Sequence, residues 1–251
     1  MKRLAMLISG GGTTMAAILE ACMPGGLLHG RIQPVLVASS NKEAGGLTKV
    51  KNAGMEWLKN LFVCDPRSFS SRENFGLALL ELLDRFKPDI IGQYGWLPKT
   101  PSNVVEAYQG RIINQHPGPL DPGRPDFGGQ GMYGRRVHCA RLLYVRLSAG
   151  RSPEQLAIEQ FTEAVSHLVT EEYDKGDVIN CQRVPILPTD DVISLQERVL
   201  PVEHHVQIQT LGMLATKNWS VHLRDRPLVP NGLYNFLDDC KRFARALFPN
   251  G

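Results

Sequence analysis

A chain of 251 residues has room for one large α/β domain or two small ones, and 43% hydrophobic with 21% charged residues is the balance of a folded soluble protein, not a disordered one. The formal charge of +3 is small and its Lys and Arg residues are scattered, which excludes a nucleic-acid surface. Cys22, Cys64, Cys139, Cys181 and Cys240 are odd in number and lack CxxC spacing, so buried free thiols are expected, with no disulfide framework and no metal site.

Residues 3–8 form an apolar run behind Lys2 and Arg3 that is too short for a signal peptide or a membrane span, so a cytoplasmic location without membrane association is expected. The run stops at Ser9-Gly10-Gly11-Gly12 and a helix-forming stretch follows, which reads as strand, glycine turn, helix. Pro34 to Ala38 is a second strand, followed by helix around Glu43 to Ala53. Leu58 to Val63 is a third, followed by helix from Arg72 to Phe86. Pro88 to Ile91 opens the next strand and Arg111 to Asn114 the one after, with a short helix from Val104 to Tyr108 between them.

This alternation predicts βαβ crossovers and a Rossmann-like open, twisted, mostly parallel sheet with helices on both faces. In such sheets ligands bind beyond the carboxyl ends of the strands, where Ser9–Thr14, Gln93–Pro98 and Asn114–Pro119 all fall.

Residues 117–134 carry four prolines and six glycines, which rules out regular structure and predicts a long shaped loop. Arg135 to Leu147 reads as helix and 148–160 as a surface segment. Ala164 to Thr170 and Val178 to Ile186 read as strands, with a turn at Asp174 to Asp177. Asp190-Asp191 caps a long helix reaching about Ala215, which Pro201 is expected to kink or divide. A last strand is expected over Trp219 to Leu223, and an outer helix within Gly232 to Gly251.

Two motifs carry chemistry. The glycine turn offers open backbone N–H groups and a helix N-terminus to an anion such as phosphate, although the Walker pattern and the dinucleotide fingerprint both fail; a tight turn without a ligand is the alternative. Asn114 and His116 are two residues apart in an extended segment and so share a side of it. The amide can donate to an oxyanion and the imidazole can exchange a proton, while a hydrogen-bonded structural histidine is the competing reading.

With these segments in order, the chain resembles the folate-dependent formyltransferases, most closely those acting on glycinamide ribonucleotide. The resemblance rests on Ile8-Ser9-Gly10-Gly11-Gly12, on Asn114-Gln115-His116-Pro117, and on the run from His167 through Asp174-Lys175-Gly176. It covers about 3–223, with an extension of about 224–251, and implies a single formyltransferase domain over 1–251.

It further implies formyl transfer from 10-formyltetrahydrofolate to the amine of glycinamide ribonucleotide in purine biosynthesis. Asn114 would stabilise the oxyanion, His116 would move the proton, and Asp174 would hold the histidine or a relay water. Gly11, Gly12, Thr13 and Thr14 would take the phosphate and Glu203 the ribose, unless Glu203 is a solvent-facing helical carboxylate. Tyr94, Gly95, Trp96, Leu97 and Pro98, with Val169 and Thr170, would line the folate, and His167 would play a supporting part. Gly118-Pro119-Leu120-Asp121-Pro122 and Thr14 depart from the family pattern, which leaves an amino-sugar nucleotide as an alternative acceptor and a non-catalytic phosphometabolite-binding relative as an alternative protein.

Overall fold

The computed structural model describes residues 1–52, 60–147 and 160–251. The chain forms two compact units. One holds 1–115, 168–171 and 207–219; the other holds 116–167, 172–206 and 220–251.

In the first unit β1 (Lys2–Ile8), β2 (Ile32–Ser39), β3 (Leu61–Val63), β4 (Ile90–Gln93) and β5 (Ile112–His116, its last residue in the second unit) pair in parallel in the order β3-β2-β1-β4-β5. The continuous burial of Leu4 to Ile8 and of Val35 to Ser39 is that of strands covered on both faces. Helices α1 (Thr13–Ala21), α2 (Gly45–Asn52), α3 (Arg72–Phe86) and α4 (Ser102–Ala107) lie between them in sequence. Helix α3 begins where Ser71 accepts a hydrogen bond from the Asn74 N–H at 3.0 Å. It ends where Lys87 turns left-handed, at φ 42°, ahead of Pro88. Its Phe75, Leu79 and Leu83 pack with Leu7, Leu36 and Ile91 in the core of this unit.

The second unit contains the 117–134 loop, α5 (Arg135–Leu147), the antiparallel pair β6 (Phe161–Leu168) and β7 (Val178–Pro185), and α7 (Tyr234–Leu247). Helix α6 (Val192–Thr216) begins in this unit and ends in the first. The loop is irregular, as its composition requires, but it is fastened. Buried Asp126 accepts N–H bonds from Asp121 and Gly128, and buried Asp121 accepts one from Leu228 at 2.8 Å. Helix α7 packs on α5 through Leu237, Cys240 and Ala244 against Val137, Cys139 and Tyr144.

Two expectations are corrected. Of a kink or a division at Pro201, the division is not found: α6 runs through it as one helix. A proline inside a helix costs roughly 3 kcal/mol, whereas Leu195, Val199, Val206 and Leu211 are all fully buried and return roughly 1.5–3 kcal/mol each. Trp219 to Leu223 forms no strand. Val221 and Leu223 are exposed, and the His222 N–H donates to the Val178 carbonyl at 2.7 Å. The surface segment expected at 148–160 lies, but for Gln160, outside the described residues.

None of the five cysteines forms a disulfide. Burial pushes the Cys22 thiol up to about 12 and that of Cys181 to about 11, and raises Cys64 and Cys139 as well. Among the described residues no helix is long and apolar enough to cross a membrane.

Candidate active site

At the carboxyl edge of the first unit's sheet, the glycine turn is gripped from two sides. The Ser9 N–H donates to the Gly95 carbonyl at 3.0 Å, the Ser9 hydroxyl accepts from the Leu97 N–H at 2.9 Å, and the Gly46 N–H donates to the Gly10 carbonyl at 3.1 Å. Gly12 caps α1 in the left-handed region, at φ 62°, with no side-chain cap on the first turn's N–H groups. A Cβ on Gly12 would stand 2.7 Å from the Gly46 Cα, whereas Cβ atoms on Gly10 and Gly11 would meet nothing. Gly12 is therefore required by the fold, and the two glycines before it leave the surface open. Thr13 is half-buried and Thr14 buried.

The same edge carries Gly95, left-handed at φ 73°, and an exposed Leu97. Tyr94 and Trp96 point inward instead: Trp96 stacks on Phe75 with centroids 6.3 Å apart, and the Tyr94 hydroxyl is buried without a hydrogen bond. Asn114 pairs in register with Gln93. The Val169 N–H donates to the Ile112 carbonyl at 2.9 Å, and Thr170 is exposed.

In the second unit three ionisable side chains converge. His116 is buried, and its Nδ1 lies 3.0 Å from the Gly118 carbonyl. A carbonyl only accepts, so Nδ1 carries the proton and Nε2 keeps its lone pair. That Nε2 has no hydrogen-bond partner and stands 3.8 Å from Asp174 Oδ2, too far for a hydrogen bond and close enough for a strong Coulomb interaction. His167 Nε2 lies 3.5 Å from Asp174 Oδ1, and the Gly129 N–H donates to Oδ2 at 2.8 Å.

Burial would raise the Asp174 carboxyl. It is outweighed by the charge His116 carries whenever protonated, by the His167 hydrogen bond and by the Gly129 N–H, so the group is held well below the usual carboxylate range. His116 moves the other way: burial lowers it despite the pull of Asp174, and it rests neutral. His138 on α5 is buried beside it with Nδ1 unpartnered, and burial first, His116 second, push it down to about 4.

Glu203 is buried on α6 and burial pushes its carboxyl up to about 8, which removes the reading of a solvent-facing carboxylate. Of the expected trio, His116 and Asp174 come together, joined by His167, while Asn114 belongs to the first unit. Sequence reasoning misses the loop residues around them. Gly128 is needed where it stands, since a Cβ there would come 2.7 Å from the Asp174 Cβ and 2.6 Å from Leu120 Cδ2. The Gly128-Gly129 pair and the nearby acid Asp126 are the legible signals of this packing.

Residues 2–135 match the family model described as formyl transferase. The chain is 30% identical over 233 residues to the chloroplastic phosphoribosylglycinamide formyltransferase of Arabidopsis thaliana, covering 92% of this chain and 71% of that one. Among solved structures, it is similar to glycinamide ribonucleotide transformylase 1 from Symbiobacterium toebii, with TM-score 0.70, 28% identity, and 88% and 91% of the two chains covered. It is also similar to the phosphoribosylglycinamide formyltransferase of Brucella melitensis, with TM-score 0.66, 31% identity, and 85% and 95% covered.

Proposed function

Because the chain belongs to the formyl transferase family, we propose that it moves the formyl group of 10-formyltetrahydrofolate to the amine of glycinamide ribonucleotide, using Asn114, His116 and Asp174. The observation that carries this reading is the neutral, buried His116, whose free Nε2 faces an ionised Asp174.

In the transfer, the acceptor amine forms a bond to the formyl carbon and its carbonyl oxygen takes up negative charge. Collapse breaks the bond to folate N10, which gains a proton while the acceptor nitrogen loses one. The Asn114 amide donates to the oxyanion. His116 Nε2 accepts the proton and returns it to the leaving nitrogen, since Gly118 fixes the tautomer that leaves this nitrogen unprotonated. Asp174 stabilises the imidazolium that forms in between. The glycine turn with its uncapped α1 N-terminus is the natural seat of the acceptor phosphate, and Glu203 the partner of its ribose. The surface around Gly95, Leu97, Pro98 and Thr170 receives the folate, with Tyr94, Trp96 and Val169 supporting it from within.

The test follows deformylation of 10-formyltetrahydrofolate by absorbance with glycinamide ribonucleotide, an amino-sugar nucleotide, or water alone as acceptor. Turnover that depends on glycinamide ribonucleotide is expected. Turnover only with the sugar nucleotide would move the acceptor assignment, and none with any acceptor would overturn catalysis.

A further inference from the structure

We infer that Lys241, on the C-terminal helix α7, is a positioning residue for Asp174, acting through the peptide between Gly128 and Gly129. The inference rests on the catalytic reading of Asp174 above. Lys241 Nζ donates to the Gly128 carbonyl at 2.7 Å, and the Gly129 N–H donates to Asp174 Oδ2 at 2.8 Å. That carbonyl and that N–H belong to one planar peptide unit. An ammonium bound to the oxygen polarises the unit and strengthens the N–H as a donor, as in any chain of hydrogen bonds.

The chain of contacts is therefore ammonium, peptide, carboxylate, and the same carboxylate oxygen faces His116 Nε2 at 3.8 Å. Its geometry leaves little play. Gly128 has no room for a Cβ against Asp174, and Gly129 is left-handed at φ 105°, so both positions of the peptide that touches the carboxylate call for glycine. The loop behind it is held by Asp126, which accepts from the Gly128 N–H at 3.0 Å and faces Lys175 Nζ at 3.3 Å. Lys175 thus serves the Asp126 carboxylate, while Lys241 serves the peptide that touches Asp174. Helix α7 is anchored for this work by α5, where Arg136 donates to the Phe248 carbonyl at 2.7 Å.

The test compares Lys241→Met, which keeps the stem and removes the charge, with Lys241→Arg, which keeps a cationic donor, and with Asp174→Asn. Lys241→Met is expected to lower kcat roughly tenfold with both KM values nearly unchanged, as loss of one hydrogen bond to a charged group implies, and Lys241→Arg to recover most of the loss. Independently of activity, the Gly129 amide proton should shift in the NMR spectrum and exchange faster in Lys241→Met. In an Asp174→Asn background, adding Lys241→Met should cost nothing further. Wild-type kcat and an unmoved Gly129 amide in Lys241→Met, beside an impaired Asp174→Asn, would overturn the inference alone. A fully active Asp174→Asn would overturn the catalytic reading beneath it.

Discussion

Asp174→Asn is the cleanest probe of the proposed chemistry because of the backbone it inherits. Asp174 is left-handed, at φ 57°, a region that asparagine tolerates and that would cost alanine about 1–2 kcal/mol of strain. Asparagine keeps an oxygen for the Gly129 N–H and removes only the charge. The magnitude comes from the 3.8 Å separation to His116 Nε2: one unit-charge pair at an effective dielectric of about 20 is worth about 4 kcal/mol. That stabilisation exists only while His116 holds the transferred proton, so it appears in kcat. The expected loss is roughly 10²–10³ in kcat, with modest changes in KM. Steady-state rates at saturating folate and acceptor measure it, with circular dichroism confirming the fold. A kcat within a few-fold of wild type would refute the pairing as a catalytic device. Combining the change with His116→Ala should add little, since residues acting as one unit are not additive; fully additive losses would assign the two separate roles.

Asn114→Ala should lower turnover by roughly 10²–10³ with the fold intact, as loss of an oxyanion donor does, and near-normal turnover would remove it from the mechanism. Gly11→Asp places a charge at the open glycine and should raise the acceptor KM strongly while folate affinity, titrated separately, holds; equal loss of both would move the phosphate elsewhere. Gly12→Asp is expected to lower the melting temperature instead, because its Cβ would collide with Gly46. Glu203 binds a proton in the folded state up to about pH 8 but in the unfolded state only below its ordinary value of 4.5. Its contribution to stability is therefore present at low pH and falls as pH rises between those values, by up to about 1.4 kcal/mol per unit. Glu203→Gln should flatten the decline in urea melts between pH 5 and 8, and an unchanged slope would show that the carboxyl ionises freely.

The elements most legible in the sequence are those whose signals are local. Helix α3 starts at its Ser71 cap and stops before Pro88, and α6 starts where Asp191 and Ser194 cap each other, the Ser194 N–H donating to Asp191 at 2.8 Å. Pro201 misled because the burial that carries α6 past it comes from distant partners that no local window contains. Trp219 to Leu223 misled for the converse reason: its apolar residues alternate as in a strand, but Val221 and Leu223 are exposed and bury nothing. At the site, the Asn-x-His spacing singled out Asn114 and His116, and the family resemblance singled out Asp174. Lys241, which is 113 residues from the carbonyl it binds, sits in a helix whose local pattern only marks an amphipathic surface.

The raised thiols bear on how this protein can be watched at work. Alkylating reagents attack thiolates, and with Cys22 near 12 and Cys181 near 11 only a trace of either is ionised at neutral pH. A cysteine introduced at exposed Leu97 would be about one-tenth ionised at pH 7.5, given an ordinary value of about 8.5. It would outcompete those native thiols by orders of magnitude, so a fluorophore could be set beside the proposed folate surface with them left in place.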